Sequence, residues 1–289
     1  MRMERPTPRS LILDLLSTLR SGSMPVAALV EAAELFEIPG GSLRVALARL
    51  RAAGLVERDS RGRYRPGPEA APLHGLVKGW RQLEGRTRAW DGSWLAVHLG
   101  AEGRHPTRAR SGAALQRLGF RGLRPDLYLR PANLRGGSRG TRDALFPLGL
   151  DPSALVFRLH ELERGSDADA RRLWDVAALA ASYRSSLRAL ERSTRCLASA
   201  RAKRRMVESF LLGGSVIQQL VADPLLPEEI LPGEDRRALL EAMRAYDRLG
   251  RNCWGSLLAR HGVPHRSAPL DTRLLAPDAA PMRVGEIRQ

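Results

Sequence analysis

The feature that most constrains the fold of this chain is the stretch GGSLRVALARLRAAGLVERDSRGRYRPG, residues 40–67. Leu43, Leu47 and Leu50 recur in it at the spacing of a single helix face, and arginines occupy the other faces. Such a pattern is typical of a helix that buries one side and exposes the other. We therefore expect an amphipathic helix with a basic outer surface.

Signals at both ends delimit this helix. The hydroxyl of Ser42 is suited to N-cap the first turn, and Gly54 is suited to the left-handed position just after the C-cap. Residues 55–58 and 63–65 are strand-like and lie on either side of a turn at residues 59–62. The helix should therefore lead directly into a hairpin that is also rich in arginine.

Two further helices are expected upstream. Residues 10–20, SLILDLLSTLR, form one apolar stripe, and Pro25 occupies a favourable first position of the next helix. A Pro-Gly-Gly turn within residues 37–41 ends that helix. Three helices followed by a hairpin are typical of a winged helix-turn-helix, whose recognition helix enters the major groove of DNA. We predict such a domain over residues 1–68.

The predicted DNA-facing residues lie on the third helix and on the hairpin. Arginine forks can bind guanine edges or phosphates, and the hairpin can contact the backbone or the minor groove. Exposed arginines are also commonly solvated or paired with acids, and winged helices serve in protein–protein contacts as well. The candidate DNA-binding residues are Ser42, Arg44, Val45, Arg49, Arg51, Arg61 and Arg63.

The overall charge agrees with a polyanionic partner. The formal net charge is +16, a balance that usually accompanies nucleic acid, anionic lipid or phosphorylated ligands. Lys78 and Lys203 are the only lysines, and such an arginine bias is what a GC-rich genome produces. The location of the charge on the third helix therefore matters more than its total.

The rest of the chain divides into a linker and a mixed segment before it turns helical. Residues 69–88 are predicted to form a linker helix that packs against the first module. Residues 89–166 alternate strands and helices, with strands at 93–98, near 126–130 and in SALVFRLHEL, and with GGSRGTR as a flexible loop. This order predicts a ferredoxin-like α/β sandwich.

The last part of the chain is expected to be helical. Residues 167–262 are predicted to form a C-terminal helical domain. Residues 263–289 are rich in Pro, Ala and Arg without periodicity and are predicted to be a disordered tail. The expected fold class is therefore α+β and multidomain, with a winged helix, a central sandwich and a helical C-terminal domain.

Several classes of protein are disfavoured by what the sequence lacks. No apolar run reaches the roughly 20 residues of a membrane span, and no cleavable signal pattern is present, so we expect a cytoplasmic protein with no membrane partner. The two cysteines lack CxxC spacing and the histidines form no HExxH pair, so no metal site is predicted. No P-loop or GxGxxG motif occurs, and we predict no catalytic residues, no cofactor and no enzymatic activity.

The order of several short motifs resembles a known family. SLILDLL, GGSLRVALARLRAAGLVER, WDGSW, LRPANL, RRLWD and DPLLPEEILP follow one another as in the PaaX family of bacterial transcriptional repressors. The resemblance spans about residues 8–262. It implies an N-terminal winged helix that binds operator DNA, a middle domain similar to a small CRISPR-associated ribonuclease, and a helical C-terminal domain. The strand SWLAVHLG ends without the aspartate that the ribonuclease uses for metal.

The resemblance also implies a ligand and an assembly. It implies a homodimer that represses aromatic catabolism genes. An acyl-CoA, typically phenylacetyl-CoA, releases such a repressor from DNA. Arginine forks match phosphate oxygens, and tryptophan could line a slot for the acyl group. The candidate effector-binding residues are Arg130, Asn133, Trp174, Arg184, Arg204 and Arg205.

Two other classes of function compete with this interpretation. One is an enzyme, such as a CoA-ester hydrolase, because a catalytic triad can assemble from residues distant in sequence. The other is a protein that binds nucleic acid through charge alone, which predicts a steep salt dependence and little sequence preference.

Overall fold

A computed structural model describes residues 5–18, 23–71, 77, 79–100 and 105–264 of the 289-residue chain. The fold is α+β, with two small antiparallel sheets and a helical C-terminal part. Almost all of the predicted tail, residues 263–289, lies outside the described residues. Its first residue, Val263, is buried.

The N-terminal module contains three helices and a three-stranded sheet. The strands pair in the order β1-β3-β2, all antiparallel, with Met24 opposite Tyr64. In chain order the elements are α1 (Pro8–Thr18), β1 (Met24–Pro25), α2 (Val26–Leu35), α3 (Gly40–Ala52), β2 (Val56–Arg58) and β3 (Arg63–Pro66).

The core of this module comes from apolar residues of all three helices. Leu43, Leu47 and Leu50 of α3 are buried, as their spacing predicted, together with Leu11 and Leu29 of the two preceding helices. Burial of such side chains contributes roughly 1.5–3 kcal/mol each and fixes the helix by one face. The opposite face of α3 is therefore held outward.

The middle of the chain folds into a four-stranded antiparallel sheet with the strand order β5-β6-β4-β7. Along the central strand, Trp94 and Ala96 face one core, and Leu95 and Val97 face another. This alternation is the period-two pattern of a strand that is covered on both sides. The elements are β4 (Trp94–His98), α4 (His105–Arg117), β5 (Arg121–Arg124), β6 (Leu127–Pro131), α5 (Gly137–Leu145) and β7 (Leu155–Leu159).

Two details of this sheet region differ from the sequence-based expectation. Strand β5 was not predicted, since its glycine and arginines lack a strand pattern. The GGSRGTR stretch is not a flexible loop, because α5 begins inside it at Gly137. Gly136 precedes that helix with φ at 90°, a left-handed conformation that glycine adopts without the strain of a side chain.

The C-terminal part consists of four helices. Tyr183, Leu190, Leu212, Val216 and Met243 bury their side chains in a core that continues onto Trp94 and Ala96 of β4. The sheet and the helices therefore share one hydrophobic core across the predicted boundary at residue 167. The helices are α6 (Arg164–Arg171), α7 (Val176–Leu197), α8 (Ala202–Val221) and α9 (Glu234–Arg260).

The predicted linker helix, residues 69–88, lies partly outside the described residues, because residues 72–76 and 78 are not described. Ala71 and Val77 are helical, and short 3-10 turns lie on either side, at Pro68–Ala70 and Gly79–Arg86. Trp80 and Leu83 pack into the core shared by the sheet and the C-terminal helices instead of against the first module.

Candidate nucleic-acid interface

Helix α3 presents a basic face opposite its buried leucines. Arg44, Val45, Arg49 and Arg51 are all exposed, and Val45 retains 53% of its accessible surface. Within the part of the chain that the structure describes, Arg44, Arg49 and Arg51 have no acidic partner. Their charge is therefore not neutralised by neighbouring side chains and is available to an external anion.

The start of α3 differs from the prediction at Ser42. The helix begins at Gly40, and the N-cap position is Pro39, which makes no side-chain capping bond. Ser42 consequently lies in the first turn, exposed, and does not cap the helix. Gly40 allows close approach to α2, because a Cβ there would lie 3.3 Å from Val30 Cγ1.

The end of α3 is fixed by two glycines. Gly54 follows the C-cap with φ at +69°, as its position predicted. A Cβ on Gly67 would lie 2.2 Å from the carbonyl oxygen of Gly54, so no side chain fits there. The strand leaving the hairpin therefore returns directly against the end of α3, which fixes the hairpin relative to the basic face.

The hairpin turn is organised by Asp59. Its Oδ1 accepts the backbone N–H groups of Arg61 at 3.0 Å and Arg63 at 2.8 Å, and Ser23 donates to its Oδ2. The bond from the Arg63 backbone, followed by those from Arg61 and Ser23, holds the pKa of Asp59 below its usual value. The turn is thus ordered by an ionised carboxylate.

The two predicted hairpin arginines have different environments. Arg61 is exposed and has no acidic partner among the described residues. The guanidinium of Arg63 instead donates to Ser23 Oγ at 3.0 Å and to the Ser23 carbonyl at 2.8 Å. Arg63 therefore secures the hairpin to the chain before β1, and the prediction of a direct DNA contact by Arg63 is not supported by its geometry.

Sequence reasoning missed one basic residue of this surface. Arg58 ends β2, is exposed, and has its guanidinium beside Gly62, where a Cβ would lie 3.2 Å from Arg58 Nη2. Arg65, by contrast, is paired with Glu57 at 2.7 Å. The available signal was the position of Arg58 just before the Asp59 turn, which places it on the tip of the hairpin.

Three of the predicted effector residues are buried. Arg130 is 2% exposed, and its guanidinium donates to the Leu118 carbonyl, to the Pro224 carbonyl at 3.1 Å and to Asn133 Oδ1 at 3.3 Å. Burial lowers the pKa of Arg130 to about 9, which keeps it cationic at neutral pH. Its N–H groups donate to oxygens of the protein interior, so they are not available to a ligand phosphate.

The partners of Arg130 have equally structural roles. Asn133 Nδ2 donates to the Leu225 carbonyl at 2.7 Å, so residues 130–133 hold residues 223–226. Trp174 is 4% exposed, stacks on Trp94 at 6.3 Å between ring centroids, and donates to the Gly119 carbonyl at 3.2 Å. The prediction of an effector slot at Arg130, Asn133 and Trp174 is therefore corrected to a packed interior.

The remaining effector candidates lie on two other helices, Arg184 on α7 and the adjacent Arg204 and Arg205 on α8. Arg184 on α7 pairs with Asp235 at 2.6 Å. Arg204 in the first turn of α8 pairs with Glu208 at 3.2 Å, and Arg205 beside it is half-buried. The six candidates thus do not converge on one pocket.

Within the described ranges, no group of three or more His, Cys, Asp or Glu residues is placed to hold a metal ion. Over the same residues, no helix combines the length and apolar character needed to cross a bilayer.

Comparisons with known proteins bear on the fold. No protein-family model matches the chain, and no curated protein matches it. Its structure is similar to that of the uncharacterized protein Rv0674 from Mycobacterium tuberculosis, with a TM-score of 0.54 and 24% identity. The match covers 86% of this chain and 98% of that chain. At this identity the likeness shows a shared α+β fold.

Proposed function

We propose that this protein is a transcription regulator that binds double-stranded operator DNA through α3 and the β2–β3 hairpin. The observation that carries the proposal is the set of exposed arginines without acidic partners on α3, whose opposite face is anchored in the core. A helix held in this way can enter the major groove, which is about 12 Å wide. Arg44 and Arg49 would then reach guanine edges or phosphates.

The element order supports a winged-helix interpretation of the N-terminal module. Helix α3 runs into a hairpin, and the hairpin is completed into a sheet by β1 in the order β1-β3-β2. Arg58 and Arg61 at the hairpin tip would contact the DNA backbone beside the groove. The strand order of the middle sheet, second-third-first-fourth in chain order, likewise supports the ferredoxin-like interpretation.

The biological assignment follows the resemblance to the PaaX repressors. The protein would act in the cytoplasm as a homodimer, without enzymatic activity, on an operator with inverted half-sites about 34 Å or a multiple apart. An acyl-CoA such as phenylacetyl-CoA would release it from DNA upstream of aromatic catabolism genes. The dispersed effector candidates lend this ligand no support, and the DNA-binding part of the proposal rests on α3 and the hairpin.

Fluorescence anisotropy on DNA from upstream of the protein's own coding sequence tests the proposal. Shuffled DNA of equal length is the control, at about 150 mM salt, where non-specific contacts are weakened. We expect selective binding to the upstream DNA. Equal, weak binding to both DNAs would contradict the proposal and favour binding by charge alone. Phenylacetyl-CoA at saturation tests the effector separately, and unchanged affinity would exclude it.

A further inference from the structure

A cleft lies where the N-terminal module meets the start of α8. Its volume is about 400 Å³. One wall comes from the end of α2 and the turn after it, and the other from the first turns of α8. The lining residues are Arg5, Leu35, Phe36, Glu37, Arg201, Lys203, Arg204, Val207 and Leu211.

The floor of this cleft is apolar and well supported. Leu35 and Phe36 contribute it from the N-terminal side, and Val207 and Leu211 from α8. The Phe36 ring centroid lies 5.3 Å from that of Phe210 in a tilted arrangement. Aromatic packing of this kind orders the Phe36 ring in the cleft.

The rim on the α8 side is cationic. Arg201 is the N-cap residue of α8 and makes no side-chain capping bond, and the first helical bond runs from the Arg205 N–H to the Arg201 carbonyl. The amides of the first turn add the positive end of a 20-residue helix to this rim. Among the residues described, neither Arg201 nor Lys203 has an acidic partner.

The other charges at the cleft are already paired. Arg5 contacts Glu37 at 2.7 Å, and Arg204 contacts Glu208 at 3.2 Å. Arg201 and Lys203 therefore supply the uncompensated charge in a cleft that Leu35, Phe36, Val207 and Leu211 also line. A neutral ligand would leave both cations unmatched, and a fully hydrophilic anion would leave the floor in contact with water.

We propose that this cleft binds a small amphiphilic anion. Its apolar body would lie on Leu35, Phe36 and Val207, and its carboxylate, sulfonate or phosphate group would bind Arg201 and Lys203. Charge-assisted bonds fix the head group, while burial of the apolar body provides the affinity.

Binding in the cleft is coupled to α3. Phe36 and Glu37 belong to the turn that leads into α3 at Gly40, and the opposite wall belongs to the C-terminal helices. A ligand that contacts both walls favours one orientation of α3 over another. The equilibrium between the two orientations shifts by as much as the ligand's affinity for them differs. This coupling rests on the proposed DNA-binding function, whereas the ligand site itself does not.

The site is tested with the full chain and the fluorescent anion 1-anilinonaphthalene-8-sulfonate, with N-phenyl-1-naphthylamine as its uncharged analogue. We expect one saturable sulfonate site and at least tenfold weaker binding of the analogue. The double variant Arg201→Gln/Lys203→Gln should weaken sulfonate binding at least tenfold. The matched variant Arg188→Gln/Arg192→Gln, which removes two exposed arginines from α7, should leave it unchanged. Equal binding by the two variants, or equal binding of the two probes, would overturn the site.

The coupling is tested by repeating the DNA titration with the sulfonate at saturation. We expect the affinity for the upstream DNA to fall in the wild type and to stay constant in Arg201→Gln/Lys203→Gln. Selective DNA binding that ignores the sulfonate in the wild type would overturn the coupling. Failure of all selective DNA binding would overturn the proposed function and the coupling with it, while the probe titration would still decide the ligand site.

Discussion

His261 Nε2 lies 2.6 Å from Glu31 Oε2, across 230 positions of the chain. Arg260 binds the other oxygen of the same carboxylate. Trp254 and Leu257 of α9 add apolar contacts to the core of the N-terminal module. The module that carries the basic helix is therefore docked on the end of α9 by one ion cluster and one apolar patch.

Loss of the Glu31 charge should loosen this docking. The hydrogen bond from His261, followed by that from Arg260, lowers the pKa of Glu31 below its usual 4.5. The stabilisation is therefore present above pH 4.5 and is lost as the pH falls through the lowered pKa. We expect Glu31→Gln to cost about 1 kcal/mol at pH 7, as for a partly exposed ion pair.

Thermal unfolding at pH 7 and at about pH 2.5 checks this prediction. The wild type and Glu31→Gln should converge at the acidic pH, where both side chains are neutral. Glu34→Gln is the control, because Glu34 is an exposed acid on the same helix and forms no ion pair within the described residues. Equal effects of the two substitutions at pH 7 would contradict the docking role.

Asp14 should destabilise the protein at neutral pH. Burial in α1 raises its pKa to about 6. The folded state thus binds the proton more tightly than the unfolded state. The stabilisation that this proton binding gives is fully present below about pH 4 and is lost as the pH rises through 6. We expect Asp14→Asn to stabilise the chain at pH 7.5, by at most about 3 kcal/mol for a shift of this size.

Denaturant unfolding at pH 7.5 and at pH 4 measures this effect. The gain in Asp14→Asn should be present at pH 7.5 and nearly absent at pH 4, where the wild-type carboxyl is protonated in the folded state. A gain that is the same at both pH values would show that proton binding by Asp14 is not the cause.

Arg130 should stabilise the folded state. Its guanidinium satisfies the carbonyls of Leu118 and Pro224 in the interior. Arg130→Met would leave both without a donor, at about 1–3 kcal/mol for each. We expect a lower free energy of unfolding in urea by at least about 2 kcal/mol. The control is Arg139→Met, an exposed arginine in α5, and a loss no larger than that of the control would contradict the buried role.

Local patterns in the sequence predicted local structure well. The Leu43–Leu47–Leu50 spacing identified the buried face of α3, and the residues of SWLAVHLG alternate between two cores in β4, as a strand requires. Gly54 has the left-handed conformation that its position predicted. These signals are local because helix and strand periodicity depend on a few neighbouring residues.

Long-range partners could not be predicted in this way. The Arg130–Pro224 contact spans 94 positions, and nothing in the LRPANL or DPLLPEEILP motifs alone indicates that they bind each other. The same holds for Arg63, whose charge suggested DNA and whose partner is Ser23, 40 positions away. An arginine in a sequence has the same chemistry whether its acceptor is a carbonyl inside the protein or a phosphate outside it.

The measurement that tests the central claim most directly is the affinity of Arg44→Gln/Arg49→Gln for the upstream DNA as a function of salt. If α3 binds DNA, the affinity of this variant should fall at least tenfold at about 150 mM salt, because two positive charges no longer neutralise phosphates or bind bases. The slope of log K against log salt should also become shallower, by up to about 2. Arg110→Gln/Arg117→Gln on α4 removes two exposed arginines elsewhere and should bind like the wild type. Equal losses in the two variants, with an equal change of slope, would contradict α3 as the DNA-binding element.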